Sequence, residues 1–136
     1  VYIEAACGLV CFFNKQYKEA LYWWSDILNK APEQVELRSQ ASVRLYLMML
    51  HCEEETTDIM DYLAQQAKVF LKQMGLWNEP EKLFVKGIVT ISNINNSKEK
   101  IIAFEELYQQ LNKTSISISG NAINTFILNW LKQKTV

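Results

Sequence analysis

Residues that break regular structure are scarce in this chain. Gly8, Gly75, Gly87 and Gly120 are its only glycines, and Pro32 and Pro80 its only prolines. Frequent strand-and-turn punctuation is therefore missing. Long apolar runs are missing too: no uninterrupted stretch reaches the roughly 18 to 20 residues that span a bilayer. Residues 1–30 contain no basic stretch followed by an apolar one, so the pattern of a secretory leader is absent. Charge of one sign is also lacking, with a formal net charge of -1. That balance argues against a domain binding nucleic acid mainly by phosphate neutralisation.

Chemistry-bearing residues are thin. The chain has one histidine, His51, and three cysteines, an odd number. A tetrahedral zinc set lacks its second histidine, so neither metal nor cofactor is expected. Cys7 and Cys11 lie four apart on one helical face and read as reduced thiols directed into a core. His51 and Cys52, followed by Glu53, Glu54 and Glu55, superficially combine a base, a nucleophile and carboxylates. Consecutive helical side chains diverge by about 100 degrees, so His51 and Cys52 do not face each other. No phosphate-cradling glycine loop, paired catalytic carboxylate motif or hydrolase elbow occurs. The chain reads as noncatalytic.

What is abundant is apolar content, 49% of 136 residues with 12% aromatic, enough for a real core in one domain. Apolar residues recur at intervals of three and four, which predicts an all-α fold. Helices are expected near residues 2–13, 17–30, 33–51, 58–74, 79–94, 97–112 and 121–134, each bound uncertain by about three residues. Tyr17, Ala20, Leu21, Trp24, Ile27, Leu28 and Ala31 make one apolar stripe, which places Trp24 in the core. Leu45 to Leu50 are apolar almost all round, as a central buried helix requires. Arg38 and Arg44 on that helix call for acceptors such as Glu4, Glu36 or helix-end carbonyls. Thr56, Thr57 and Asp58 are N-terminal capping candidates, Gly75 a stop signal, and Pro80 a first-turn residue. Asn96 and Glu99 have the spacing of a capping box. Thr114 to Ser119 alternate serine or threonine with isoleucine, but no second segment offers a strand partner, so this reads as an extended linker.

Gly8, Tyr17, Ala20, Leu21, Trp24, Leu28 and Pro32 are spaced such that residues 1–32 resemble a tetratricopeptide repeat. The resemblance covers about one repeat. Glu4, Cys11 and Ile27 depart from the family's preferences for tryptophan, tyrosine and alanine at those places. The chain is similar overall to degenerate bacterial repeat proteins of mostly unassigned function. The resemblance implies a right-handed α-α superhelix, a solenoid of about three hairpins plus a capping C-terminal helix. Hairpins would span about 1–32, 33–75 and 76–113, followed by a linker at 114–120 and the terminal helix at 121–134. It also implies that Gly8 packs against Ala20, with Gly87 and Ala103 as a stretched version of the same contact. Because the chain opens on Val1 rather than methionine, it is expected to be part of a longer chain.

By the same resemblance a partner groove would be lined by Tyr2, Ala5, Leu9 and Phe12, with Phe13 beside them. Ala5 and Leu9 stand where the family's carboxylate-binding repeats place lysine and asparagine, which disfavours that variant. Trp23 lies off the apolar stripe and is a candidate interface residue, toward another repeat or a second copy of the chain. Lys68, Lys72, Lys82 and Lys86 have helical spacing and are a candidate anion patch, although Glu79 and Glu81 dilute its charge. The expected role is a cytoplasmic protein- or peptide-binding scaffold, with neighbouring repeats or a homodimer as further partners and no membrane. The alternatives are a regulatory or nucleic-acid-associated domain using those lysines, and an accessory domain of a larger enzyme.

Overall fold

The computed structural model describes residues 2–30, 36–114 and 121–136. Those residues form an all-α structure of seven α-helices and one 3-10 turn, with no strand among them. The helices are α1 (Tyr2–Phe13), α2 (Tyr17–Leu28), α3 (Leu37–Glu53), α4 (Met60–Gln73), α5 (Glu79–Ser92), α6 (Ser97–Asn112) and α7 (Thr125–Gln133). Each helix packs on the next in the chain, and α3 also touches α1 and α5. The expected positions of Ala31, Pro32 and the start of α3 at residues 33–35, and the linker at 115–120, lie outside the described residues.

Local signals explain most helix ends. Asn96 Oδ1 accepts hydrogen bonds from the Lys98 and Glu99 backbone N–H groups at 2.9 and 3.1 Å, starting α6. Gly75 has φ +70, which lets Leu76 N–H reach back to the Leu71 carbonyl at 2.8 Å and close α4. Lys15 and Glu55 take the same left-handed conformation without being glycine and close α1 and α3 in the same way. At α4 the capping expectation fails, since neither Thr56 nor Ile59 makes a side-chain cap. The Thr56 hydroxyl donates instead to the His51 carbonyl at 3.3 Å and lies 2.6 Å from His51 Nδ1, so Thr57–Ile59 forms a 3-10 turn.

The core runs the length of the helix stack. Trp24, Ile27, Leu45, Met48, Met49, Leu50, Phe84, Ile88 and Leu111 are all fully enclosed. Central placement explains why α3 is apolar on every side: α2, α4 and α5 surround it, α1 touches it, and the C-terminal segment covers what is left. Gly8 packs against the Trp24 ring, since a Cβ at Gly8 would stand 2.1 Å from Trp24 Nε1. Trp24 Nε1–H donates to the Ala5 carbonyl at 3.3 Å, so the bulky ring is both enclosed and satisfied. Gly87 likewise abuts Leu107.

The last helix departs most from expectation. It begins at Thr125, four residues after the expected 121, because residues 121–124 are held in non-helical conformation by other elements. Nor does it simply cap one end of the stack. Trp130 meets Phe12 of α1 at a ring distance of 6.4 Å and Phe104 of α6 at 5.6 Å, and its Nε1–H donates to Glu53 of α3 at 2.7 Å.

Candidate functional site

The C-terminal segment occupies the face made by α1, α3 and α5. Ser42 Oγ donates to the Ala122 carbonyl at 2.9 Å, and Asn124 Nδ2 donates to Tyr46 Oη at 2.6 Å. Asn124 Oδ1 meanwhile accepts from the Phe126 and Ile127 N–H groups, both at 3.1 Å, and caps α7. Behind these bonds Ala122, Ile123, Ile127 and Leu131 are buried.

The anchor of the segment is Glu81, the third residue of α5, whose side chain is completely enclosed. Glu81 Oε2 accepts from Asn121 Nδ2 at 3.1 Å, from Ala122 N–H at 3.0 Å and from Ile123 N–H at 3.4 Å. Its Oε1 accepts from Asn121 Nδ2 at 3.2 Å and from Asn78 N–H at 3.3 Å. Among the described residues Glu81 has no cationic partner, so neutral donors and the N-terminal end of α5 balance a buried carboxylate. Asn78 followed three residues later by Glu81 is a capping signature readable in sequence, but the long-range partners are not.

This arrangement corrects the expected groove. Leu9 and Phe12 are buried in the core, Phe12 against Trp24 at 5.8 Å and Tyr17 at 5.6 Å. Ala5 and Phe13 are half-buried and pack on the same core, and the Tyr2 side chain lies outside the described residues. An almost wholly apolar α1 gives periodicity nothing with which to separate a core face from a ligand face. Trp23 is half-buried, with its ring edge-on to the exposed Tyr22 at 5.8 Å.

An open groove of about 340 Å³ lies between α5 and α6. Leu83, Gly87, Ile91, Ala103 and Leu107 supply its apolar lining. Lys82, Lys86 and Thr90 stand on the α5 wall, Glu106 and Gln110 on the α6 wall, and Glu79 at the start of α5. The structure thus brings Lys82 and Lys86 to one groove, which Lys68 and Lys72 do not line. None of the four makes an ion pair among the described residues. The opposing Glu106 and Gln110 were missed in sequence because helical spacing gives no cross-helix register.

Ion pairs elsewhere among the described residues are few. Lys30, just past the end of α2, pairs with Glu4 of α1, which holds the Glu4 carboxyl below its ordinary value, and Lys134 pairs with Glu53 at 2.9 Å. Arg44 takes none of the expected acceptors. Its guanidinium lies 4.3 Å from the Phe70 ring centre, its Nε is buried without a hydrogen-bond partner, and burial lowers its pKa.

His51 and Cys52 do not combine chemically. His51 is engaged with Thr56 and burial lowers its pKa, while burial pushes the Cys52 thiol up to about 11. In the native protein Cys52 is expected to resist iodoacetamide near neutral pH, while the half-buried Cys7 and Cys11 are modified first. Mass spectrometry of labelled peptides checks this, and equal labelling of all three thiols would contradict it. Among the described residues no group of three or more His, Cys, Asp or Glu side chains converges as a metal site would require. No helix among them is long and apolar enough to cross a membrane.

No protein-family model, curated protein or solved structure matches the chain.

Proposed function

We propose that this chain is a noncatalytic helical module, a degenerate tetratricopeptide-like solenoid of stacked hairpins, that binds a peptide or protein segment in the α5–α6 groove. Packing of each helix on its chain neighbour, with α1 on α3 and α3 on α5, supports the stacked reading. The observation that carries the binding site is the groove itself: an apolar lining between a wall bearing Lys82 and Lys86 and a wall bearing Glu106 and Gln110. A volume of about 340 Å³ is at the small end of ligand pockets and suits a few anchoring side chains. The charge arrangement favours a short amphipathic segment with acidic residues toward α5. The face of α1, α3 and α5 is set aside because the chain's own residues 121–131 cover it.

Peptides selected from a random library on the intact protein, then titrated by amide NMR, test this reading. Shifts centred on Leu83, Ile91, Ala103 and Gln110 are expected. The double variant Lys82→Glu, Lys86→Glu, which alters exposed or half-buried rim residues, is expected to bind the selected peptides about tenfold more weakly or worse. Peptides that map to another surface, or that bind the variant equally well, would overturn it.

A further inference from the structure

Arg44 does not line the α5–α6 groove. It sits on α3 two residues from both Ser42 and Tyr46, hence about 200 degrees round the helix from each, opposite the face covered by the C-terminal segment. Its guanidinium carbon stands over the Phe70 ring of α4, a cation–π contact that holds the group in place before any ligand arrives. Because Nε is buried and unpaired, the edge formed by the two Nη groups is the one open to a ligand. No ion pair to Arg44 forms among the described residues.

The surroundings of Arg44 select the ligand. Exposed Tyr62 and Val69 stand seven apart on α4 beside Phe70, and exposed Leu37 stands seven before Arg44 on α3. Leu37 lies roughly 20 degrees round α3 from Arg44, while Tyr62 and Val69 share one flank of α4, roughly 80 to 100 degrees round from Phe70, so they border the pair rather than share its face. Lys68 and Lys72, two positions either side of Phe70, are on the opposite face of α4 and bring no second positive charge. One rigid fork with one charge matches a monoanionic, planar oxyanion better than a phosphate dianion, and the apolar rim matches a hydrocarbon group attached to it.

We infer that Arg44, held on Phe70 and flanked by Tyr62, Val69 and Leu37, is a receptor for a single carboxylate borne on an apolar group. The carboxylate binds end-on across the two Nη groups, and the attached hydrocarbon rests on the α3–α4 surface. Two sources have this chemistry, a small aromatic acid and a polypeptide's terminal or side-chain carboxylate.

The test uses the intact chain and two probes, benzoate and N-acetylphenylalanine, with benzyl alcohol and N-acetylphenylalaninamide as uncharged controls, followed by NMR of the Arg44 side-chain and Phe70 ring signals. Saturable millimolar binding of at least one acid, absent for both controls, is expected. Tighter binding of benzoate points to a small acid, and tighter binding of N-acetylphenylalanine to a polypeptide carboxylate. Arg44→Met keeps an aliphatic stem on Phe70 and is expected to abolish the response, and Arg44→Lys keeps the charge without the fork and is expected to weaken it about tenfold. If the acids bind no better than the controls, or Arg44→Met responds like the wild type, the inference is wrong. The comparison of acids with controls on the wild type decides the matter even if a variant fails to fold.

Discussion

Glu81→Ala is expected to destabilise the protein by about 3 to 5 kcal/mol, the range for removing one partner from a buried charged network. The loss is larger than that of one helix cap, because the carboxylate serves four donors. Asn78 N–H, Asn121 Nδ2, and the backbone N–H groups of Ala122 and Ile123 all point at it. Without it those donors are left inside the protein where water does not readily replace the acceptor, and each unsatisfied group costs about 1 to 3 kcal/mol. Glu81→Gln should cost less, since one oxygen is retained, but its amide N–H groups then face other donors. Urea unfolding of the variants beside the wild type measures the effect. Because Glu81 joins α5 to residues 121–123, amide exchange should accelerate first in the C-terminal segment and in α7. An effect below about 1 kcal/mol, or exchange unchanged in that segment, would mean that Glu81 does not fasten it.

Gly8→Ala is expected to lower stability by about 1 to 2 kcal/mol even though it replaces glycine with the best helix former. Two effects oppose each other here. Removing a glycine from a helix interior contributes about 1 kcal/mol in favour of the variant. Against it, the new methyl would lie 2.1 Å from Trp24 Nε1 and 2.6 Å from Cδ1, and the indole it meets is completely enclosed by the core. Overpacking against an immobile ring costs about 1 to 3 kcal/mol and sometimes more, so the clash wins. Trp24 also contacts Tyr46 and Phe12 through its ring, which spreads any displacement into α1 and α3. Adding Trp24→Phe to Gly8→Ala should restore part of the loss, and thermal unfolding of the two single variants and the double variant measures the coupling. Additive losses would show that the glycine is not there to admit the indole.

The two variants sample different degrees of legibility. Gly8 and Trp24 stood out in sequence through their spacing, and the close packing of α1 on α2 followed, while the meeting of Gly8 with the Trp24 ring emerged only in the structure. Glu81 was read as a diluting charge, and it is the most deeply enclosed charged residue among those described. Nothing local separates it from Glu79, because burial of a carboxylate depends on donors that arrive from residues 121–123, about forty positions away. The candidate site divided in the same manner. Helical spacing paired Lys82 with Lys86, but the acidic and amide wall opposite them came from α6 through packing alone. Arg44 was recognisable as an anomaly on an apolar helix, and its answer, an aromatic ring instead of a carboxylate, depended on where α4 places Phe70.

Local chemistry in the sequence therefore determined the helices, their order and most of their ends. A three-to-four residue apolar period, cap residues such as Asn96 and a left-handed glycine at Gly75 act within a turn or two of themselves. It also marked Trp24 and α3 as core, because a stripe or a wholly apolar helix has no other stable place. Only the tertiary structure decided that α1 lends Leu9 and Phe12 to the core, that residues 121–131 cover the face expected to be open, and that an open groove lies between α5 and α6. Those outcomes turn on which apolar face meets which. The hydrophobic effect is non-directional, so a periodic pattern states how much surface must be buried without stating against what.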